Sequence, residues 1–241
     1  MDYPCVENDG KRHVDRLSRN RRKKDGIHRP VNARYKNIDL LLHDYKKRRP
    51  AIQRRLSDFH AVTREEYFYE LVYCFMTPQS SAINSAKAQK ALMAHNFQSA
   101  EVNPEPLLYQ KEYYIRFHKT KAKLLIAMKR QYGDILRNIS NGASAFEKRK
   151  WLAENVKGIG YKEATHFLRN VGLNDGLAIL DRHILKNLKK YGAIRSLPKT
   201  LTKKKYLALE ERFQKFAAEI GIPIDELDLL FWSNETGEIL K

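Results

Sequence analysis

The sequence predicts an all-α protein, and three observations carry that prediction. From residue 37 onward apolar residues recur at helical spacing, the segments are punctuated by Pro, Gly and capping residues, and no stretch alternates apolar and polar residues as a strand would. Ile38 to Leu42 leads into a basic helix, and Pro50 restarts the chain. Thr63-Arg-Glu-Glu66 has the spacing of a capping box and opens an apolar helix from Glu65 to Met76, which Thr77-Pro78 ends. Ser80 or Ser81 caps the next helix, with Ile83, Ala86, Leu92 and Met93 on one side through about His95. Pro104 and Pro106 mark a connection to a short helix. Lys119 to about Ile139 reads as a long helix carrying Ala122, Leu125, Ile126 and Met128, and Gly142 closes it. Further helices run from about Ala143 to Asn155, from the Lys157-Gly-Ile-Gly160 break to about Val171, and near 181–191, 202–220 and 224–233. With 241 residues and 42% hydrophobic content the chain can bury a core in one domain or in two small helical lobes.

Charge narrows the choice of partner. The formal net charge of +18 points to a polyanion, with nucleic acid first and an anionic membrane surface second. Residues 1–50 contribute +8 of it, and Lys11 to Lys24 holds eight basic residues against one acid. Residues 1–36 therefore read as a flexible basic arm that holds phosphates without reading sequence, or as a solvated tail; residues 37–241 form the folded domain. No apolar run is long enough to span a bilayer, and Met1 to Gly10 lacks the apolar core of a signal peptide. The expectation is a soluble, intracellular protein without a secretion signal, cytoplasmic and nucleoid-associated in a prokaryote. Cys5 and Cys74 are too few for a four-cysteine zinc site or iron–sulfur cluster, so chemistry is expected from side chains alone, with no metal or cofactor.

Trp151 to Arg195 is the informative segment. Two helices joined by a short Gly-x-Gly turn suit a helix–hairpin–helix: Gly158 and Gly160 can take positive φ, and backbone amides open at the mouth of the second helix, where the helix dipole favours phosphate. Lys157 adds a cation beside that seat. An ordinary helical hairpin with a glycine C-cap has the same composition. Lys162 falls in the first turn of the helix after the hairpin, where the positive helix end, Lys157 and partial burial all favour its neutral, nucleophilic amine. Asp181, nineteen positions on, can cap the next helix at the same end and act as its electrostatic and proton-handling partner. Spacing alone also allows a surface pair.

The run VKGIGYKEATHFLRNVG followed by LAILDRHIL resembles the signature of the helix–hairpin–helix-Gly/Pro-Asp superfamily of DNA glycosylases, with Lys162 and Asp181 at its catalytic positions. More closely, the chain resembles the type-2 8-oxoguanine DNA glycosylase/lyase family from about residue 40 to its end. FMTPQSSA (Phe75 to Ala82), RFHKTKA (Arg116 to Ala122) and DLLFWSNETGEILK (Asp228 to Lys241) carry the likeness beyond the hairpin. The resemblance implies two helical lobes with the active site in the cleft between them, and a monomer acting on damaged double-stranded DNA. It implies base excision repair: Lys162 attacks C1′, expels 8-oxoguanine, and the Schiff base allows β-elimination at the abasic site.

The same resemblance assigns base recognition to Trp232, as a stacking face, and to the terminal carboxylate of Lys241; Phe117 is the candidate for the opposite face. Trp232 and Phe117 suit core packing equally, and Lys241 a frayed terminus. His183 is a candidate phosphate or sugar contact, and Gln79 a candidate for the DNA face or the pocket; Tyr161 reads as packing. Two alternatives stay open at this point: a glycosylase of the same superfamily for another damaged base, and a noncatalytic DNA-binding module that kept the hairpin.

Overall fold

The computed structural model describes residues 34–239. Nine α-helices are found among them: α1 (Ile38–His60), α2 (Tyr67–Met76), α3 (Ala82–Ala94), α4 (His118–Ile139), α5 (Ala145–Asn155), α6 (Tyr161–Asn170), α7 (Arg182–Lys190), α8 (Lys203–Ile220) and α9 (Ile224–Thr236). Between α3 and α4 lie a 3₁₀ turn, Pro106–Leu108, and a two-stranded antiparallel hairpin, β1 (Tyr109–Gln110) and β2 (Tyr113–Tyr114), in which Tyr109 pairs with Tyr114. This hairpin was not anticipated: strands of two residues are too short for an alternating pattern.

Several local expectations change. Pro50 does not restart the chain but lies inside the single helix α1, on its solvent face. Leu41, Tyr45, Ile52 and Phe59 bury the opposite face on both sides of it, so packing offsets the lost backbone bond, and water can reach the freed carbonyl. Only one arm of the Thr63 capping box forms: the Thr63 amide donates to Glu66 Oε2 at 2.8 Å, and α2 begins at Tyr67 rather than Glu65. Ser81 caps α3, its hydroxyl accepting from the Asn84 amide, but the buried side is Ser85, Ala88, Gln89 and Leu92. Ile83 and Met93 are exposed. Ser144 forms a full capping box with Glu147 at the start of α5. Arg34 to Lys36, grouped with the arm by composition, belong to the fold: Tyr35 is buried, and the Lys36 amide donates to the Tyr191 carbonyl. The remainder of the arm, residues 1–33, lies outside the described residues.

Two hydrophobic cores organise the described chain. The first surrounds α2, which is apolar on nearly all sides, and takes Leu92 from α3, Leu125 and Met128 from α4, Leu152 from α5, and Ala164, Phe167 and Leu168 from α6. The second is built from α1 and from α7, α8 and α9, with Tyr191, Phe213, Phe216 and Phe231 in near-parallel stacks. The described residues thus start in the second core, build the first, and return between α6 and α7. Two buried ion pairs join the cores at that return. Arg149 on α5 grips Glu210 on α8 through both carboxylate oxygens, with Nη2 at 2.8 Å from Oε2, and Arg169 on α6 reaches Asp228 on α9 at 2.8 Å.

Candidate active site

The hairpin forms as the break after α5 requires. Val156 leaves the helix in an extended conformation, Ile159 is buried and its amide donates to the Val156 carbonyl, and α6 starts at Tyr161. Gly158 has φ 95°, and a Cβ there would lie 2.7 Å from Leu124 Cδ1 and 3.1 Å from Phe75 Cε1, so glycine is demanded both by conformation and by the close approach of α4 and α2. Gly160 differs from expectation: its φ of −100° and ψ of −177° are extended backbone, as suits an N-cap residue. No side chain caps α6, which leaves its first amides open to an anion. Lys157 stands exposed beside them.

Lys162 projects from the first turn of α6, about a quarter exposed, with the helix behind it buried from Ala164 to Asn170. The acid within ion-pair distance is its neighbour Glu163, at 3.5 Å, rather than Asp181. Asp181 is the N-cap of α7, as its position suggested, and its Oδ1 accepts from the amides of both His183 and Ile184 at 2.8 Å. The strap leading to it is fixed from α8. Tyr206 donates to the Ala178 carbonyl and accepts from the Leu180 amide, while Glu210 accepts from the Ala178 amide at 2.9 Å. Lys162 therefore rides on a helix of the first core, and Asp181 caps a helix of the second.

His183 and Trp232 accompany Asp181. Their ring centroids lie 6.3 Å apart in an edge-on arrangement, and Glu235 approaches His183 Nδ1 at 3.9 Å. Trp232 is half-buried while its neighbour Phe231 fills the second core, so the tryptophan keeps an accessible face. Lys241 lies outside the described residues. Phe117 and Gln79 form a second group. Each is left-handed, at φ 59° and 56°, and each is exposed. A phenylalanine in that region is costly and persists only when its surroundings impose it. Here the Arg116 amide donates to Ser80 Oγ at 3.0 Å, and the Arg116 guanidinium lies 5.0 Å from the Phe117 ring centre. Half its surface is open, so Phe117 is not a core residue.

Lys121 went unnoticed in the sequence. Its ammonium is buried and donates to the carbonyls of Met76 and Pro78 at 2.7 Å each, tying the first turn of α4 to the end of α2 and the turn that carries Gln79. Burial, reinforced by the charge of Lys162, pushes it down to about 8, against an opposing pull from Glu163. The readable signal was its place on the buried stripe of α4, in register with Leu125 and Met128. Asp228, behind the site, is pushed up to about 7 by burial and by the neighbouring charges of Asp181 and Asp225, with Arg169 opposing. Tyr161 packs 5.8 Å from Tyr206 with Arg149 over its ring, a packing position.

A glycine hairpin between α5 and α6, an uncapped helix start carrying a lysine, and an aspartate cap on the following helix make up a helix–hairpin–helix fold. A family model described as 8-oxoguanine DNA glycosylase matches residues 52–222. The chain is 38% identical over 210 residues to the 8-oxoguanine DNA glycosylase/AP lyase of Fusobacterium nucleatum, covering 82% of this chain and 94% of the relative. It is 36% identical over 197 residues to that of Methanocaldococcus jannaschii, covering 79% and 91%. The crystal structure of the Thermotoga maritima 8-oxoguanine DNA glycosylase superposes with a TM-score of 0.74 at 31% identity, over 85% of this chain and 98% of that one. The M. jannaschii 8-oxoguanine glycosylase/lyase, in complex with a 15mer DNA containing 8-oxoguanine, does so with 0.72 at 32% identity, over 84% and 100%. The chain belongs to the 8-oxoguanine DNA glycosylase family.

Proposed function

We propose that this protein is a bifunctional base-excision enzyme that removes 8-oxoguanine from duplex DNA and then cuts the abasic site. The observation that carries the reading is the lysine in the first turn of α6, directly after the glycine hairpin, with an aspartate capping the helix that follows. The oxidised base is inaccessible in a stacked duplex, so its nucleotide must be extruded at a cost of a few kcal/mol. Lys162 Nζ attacks C1′ of the deoxyribose and the bond from C1′ to the base nitrogen breaks, the base leaving with the electron pair and a proton. The remaining N–H stays on the nitrogen, whose lone pair opens the ring as O4′ leaves and takes up a proton, giving a protonated Schiff base at C1′. That cation acidifies C2′; removal of a C2′ proton expels the 3′ phosphate. Asp181 stabilises positive charge on the sugar and relays protons.

Recognition follows the same reading. Trp232 and Phe117 stack on the two faces of the extruded base, and the terminal carboxylate of Lys241 contacts its guanine edge. Lys157, Gly158 and Gly160 hold phosphate through charge and open amides, and His183 and Gln79 touch the backbone beside the lesion. The protein acts as a monomer, with the basic residues before Arg34 adding affinity that does not depend on sequence. Borohydride should trap a covalent adduct between the protein and an oxoguanine duplex, and Lys162→Gln should abolish trapping while binding persists. An adduct of undiminished yield in that variant overturns the assignment.

A further inference from the structure

We propose that the exposed rings of the β1–β2 hairpin form a stacking platform for DNA bases that lose their neighbour when the damaged nucleotide is extruded. The proposal rests on the reading that this protein flips a nucleotide, but concerns residues outside the excision chemistry.

Tyr109 and Tyr114 face each other across the two strands, 63% and 46% exposed, and their rings meet edge-on at 5.5 Å between centroids. His118, in the first turn of α4, completes the cluster at 5.0 Å from Tyr109 and 5.8 Å from Tyr114. Apolar rings held in solvent on so short a hairpin need strong anchoring, and it is present. Leu108 and Ile115 are fully buried beneath them, the Ile115 amide donates to the Leu108 carbonyl, and the Tyr113 hydroxyl donates to the Leu107 carbonyl at 2.8 Å. The Asn84 side chain bonds the Tyr114 carbonyl from α3. The hairpin is thus anchored from below while both tyrosines stay exposed, an arrangement with no role in the core.

Two observations select nucleic acid as the occupant. The charged residues of the hairpin and its flanks are Lys111, Arg116 and Lys119 against Glu105 and Glu112, and Lys87 reaches the Glu112 carbonyl from α3, so the balance is basic and suited to a phosphate backbone. The platform also adjoins the candidate site: His118 follows Phe117, and Lys121, one turn further along α4, lies within electrostatic reach of Lys162. Bases with an exposed π-face are what aromatic rings in a basic setting receive without regard to sequence. An intact duplex offers none; a duplex opened by extrusion does.

The test compares binding of the full chain to two duplexes, one intact and one carrying a tetrahydrofuran abasic site, which cannot react at Lys162; the result is therefore independent of the nucleophile assignment. Tyr109→Ala with Tyr114→Ala should raise Kd for the tetrahydrofuran duplex by about 5- to 150-fold, the range for one base–aromatic stack, and move Kd for the intact duplex far less. Tyr109→Phe with Tyr114→Phe should restore affinity. Should the alanine pair fail to fold, Tyr109→Leu with Tyr114→Leu keeps the bulk and should show the same selective loss. Equal loss on both duplexes, no loss on either, or failure of the phenylalanine pair to restore binding overturns the proposal.

Discussion

Asp181 holds the amide of Ile184 at 2.8 Å through Oδ1, the same oxygen that takes the His183 amide, so one carboxylate oxygen serves as the helix cap while no described residue bonds Oδ2. Structure and chemistry are thereby divided between the two oxygens of one side chain. Asparagine caps helices about as well as aspartate, so Asp181→Asn should keep the cap and leave thermal stability nearly unchanged. The missing carboxylate should lower single-turnover excision by about 10²- to 10⁴-fold. Asp181→Ala should lose both, with about 1 kcal/mol of stability going with the cap. An Asp181→Asn protein that excises normally would remove Asp181 from the chemistry.

What the sequence disclosed follows from the range of the forces involved. Caps and turns act over three or four residues, so Asp181 at the start of α7, a serine cap at the start of α3 (Ser80 or Ser81, of which Ser81 serves) and the hairpin at Gly158 could be read directly. Pro50 could not, because its tolerance depends on Leu41, Tyr45, Ile52 and Phe59 meeting helices far along the chain. Lys121 shows its burial in its register with Leu125 and Met128, but not its partners, the carbonyls of Met76 and Pro78 more than forty residues earlier. The family resemblance supplied Lys162 with a role; geometry supplied its neighbours Lys121 and Glu163.

The two hairpin glycines should respond differently to alanine. At Gly158 an added Cβ meets Leu124 at 2.7 Å in a left-handed residue, so Gly158→Ala should distort the turn and weaken duplex binding together with stability. At Gly160 the backbone is extended and the Cβ meets only Glu163 Oε2, at 3.1 Å, the far end of a flexible side chain. Gly160→Ala should therefore cost much less stability, and denaturant melts of the two variants, with duplex affinity measured in parallel, decide the order. Equal destabilisation would contradict the hairpin geometry.

The Arg149–Glu210 pair should dominate the stability of the seam. Arg149 is fully buried, and Glu210 also holds the Ala178 amide on the strap to Asp181. Removing one partner strands the other charge in the interior, so Arg149→Ala should cost about 3–5 kcal/mol in urea unfolding. Replacing both with apolar residues of similar volume should recover much of that loss, although the Ala178 amide then lacks its acceptor. A single variant that unfolds like the parent would show the pair to be dispensable.

Lys121 gives stability a dependence on alkaline pH whose sign is fixed by its burial. Unfolded, a lysine titrates near 10.5; folded, Lys121 is pushed down to about 8. Between these values the unfolded chain holds a proton that the folded chain has released, so the contribution of this residue to folding rises with pH across that window. The neutral amine retains two N–H donors, sufficient for the Met76 and Pro78 carbonyls after the charge is gone. Lys121→Met removes both the titration and the donors. The difference in unfolding free energy between parent and Lys121→Met should therefore grow in favour of the parent from pH 7.5 to about pH 10, when measured by urea melts at matched ionic strength. Because tyrosines that titrate in the same range are common to both proteins, they cancel in the difference, and a flat or falling difference would mean that Lys121 keeps its proton throughout.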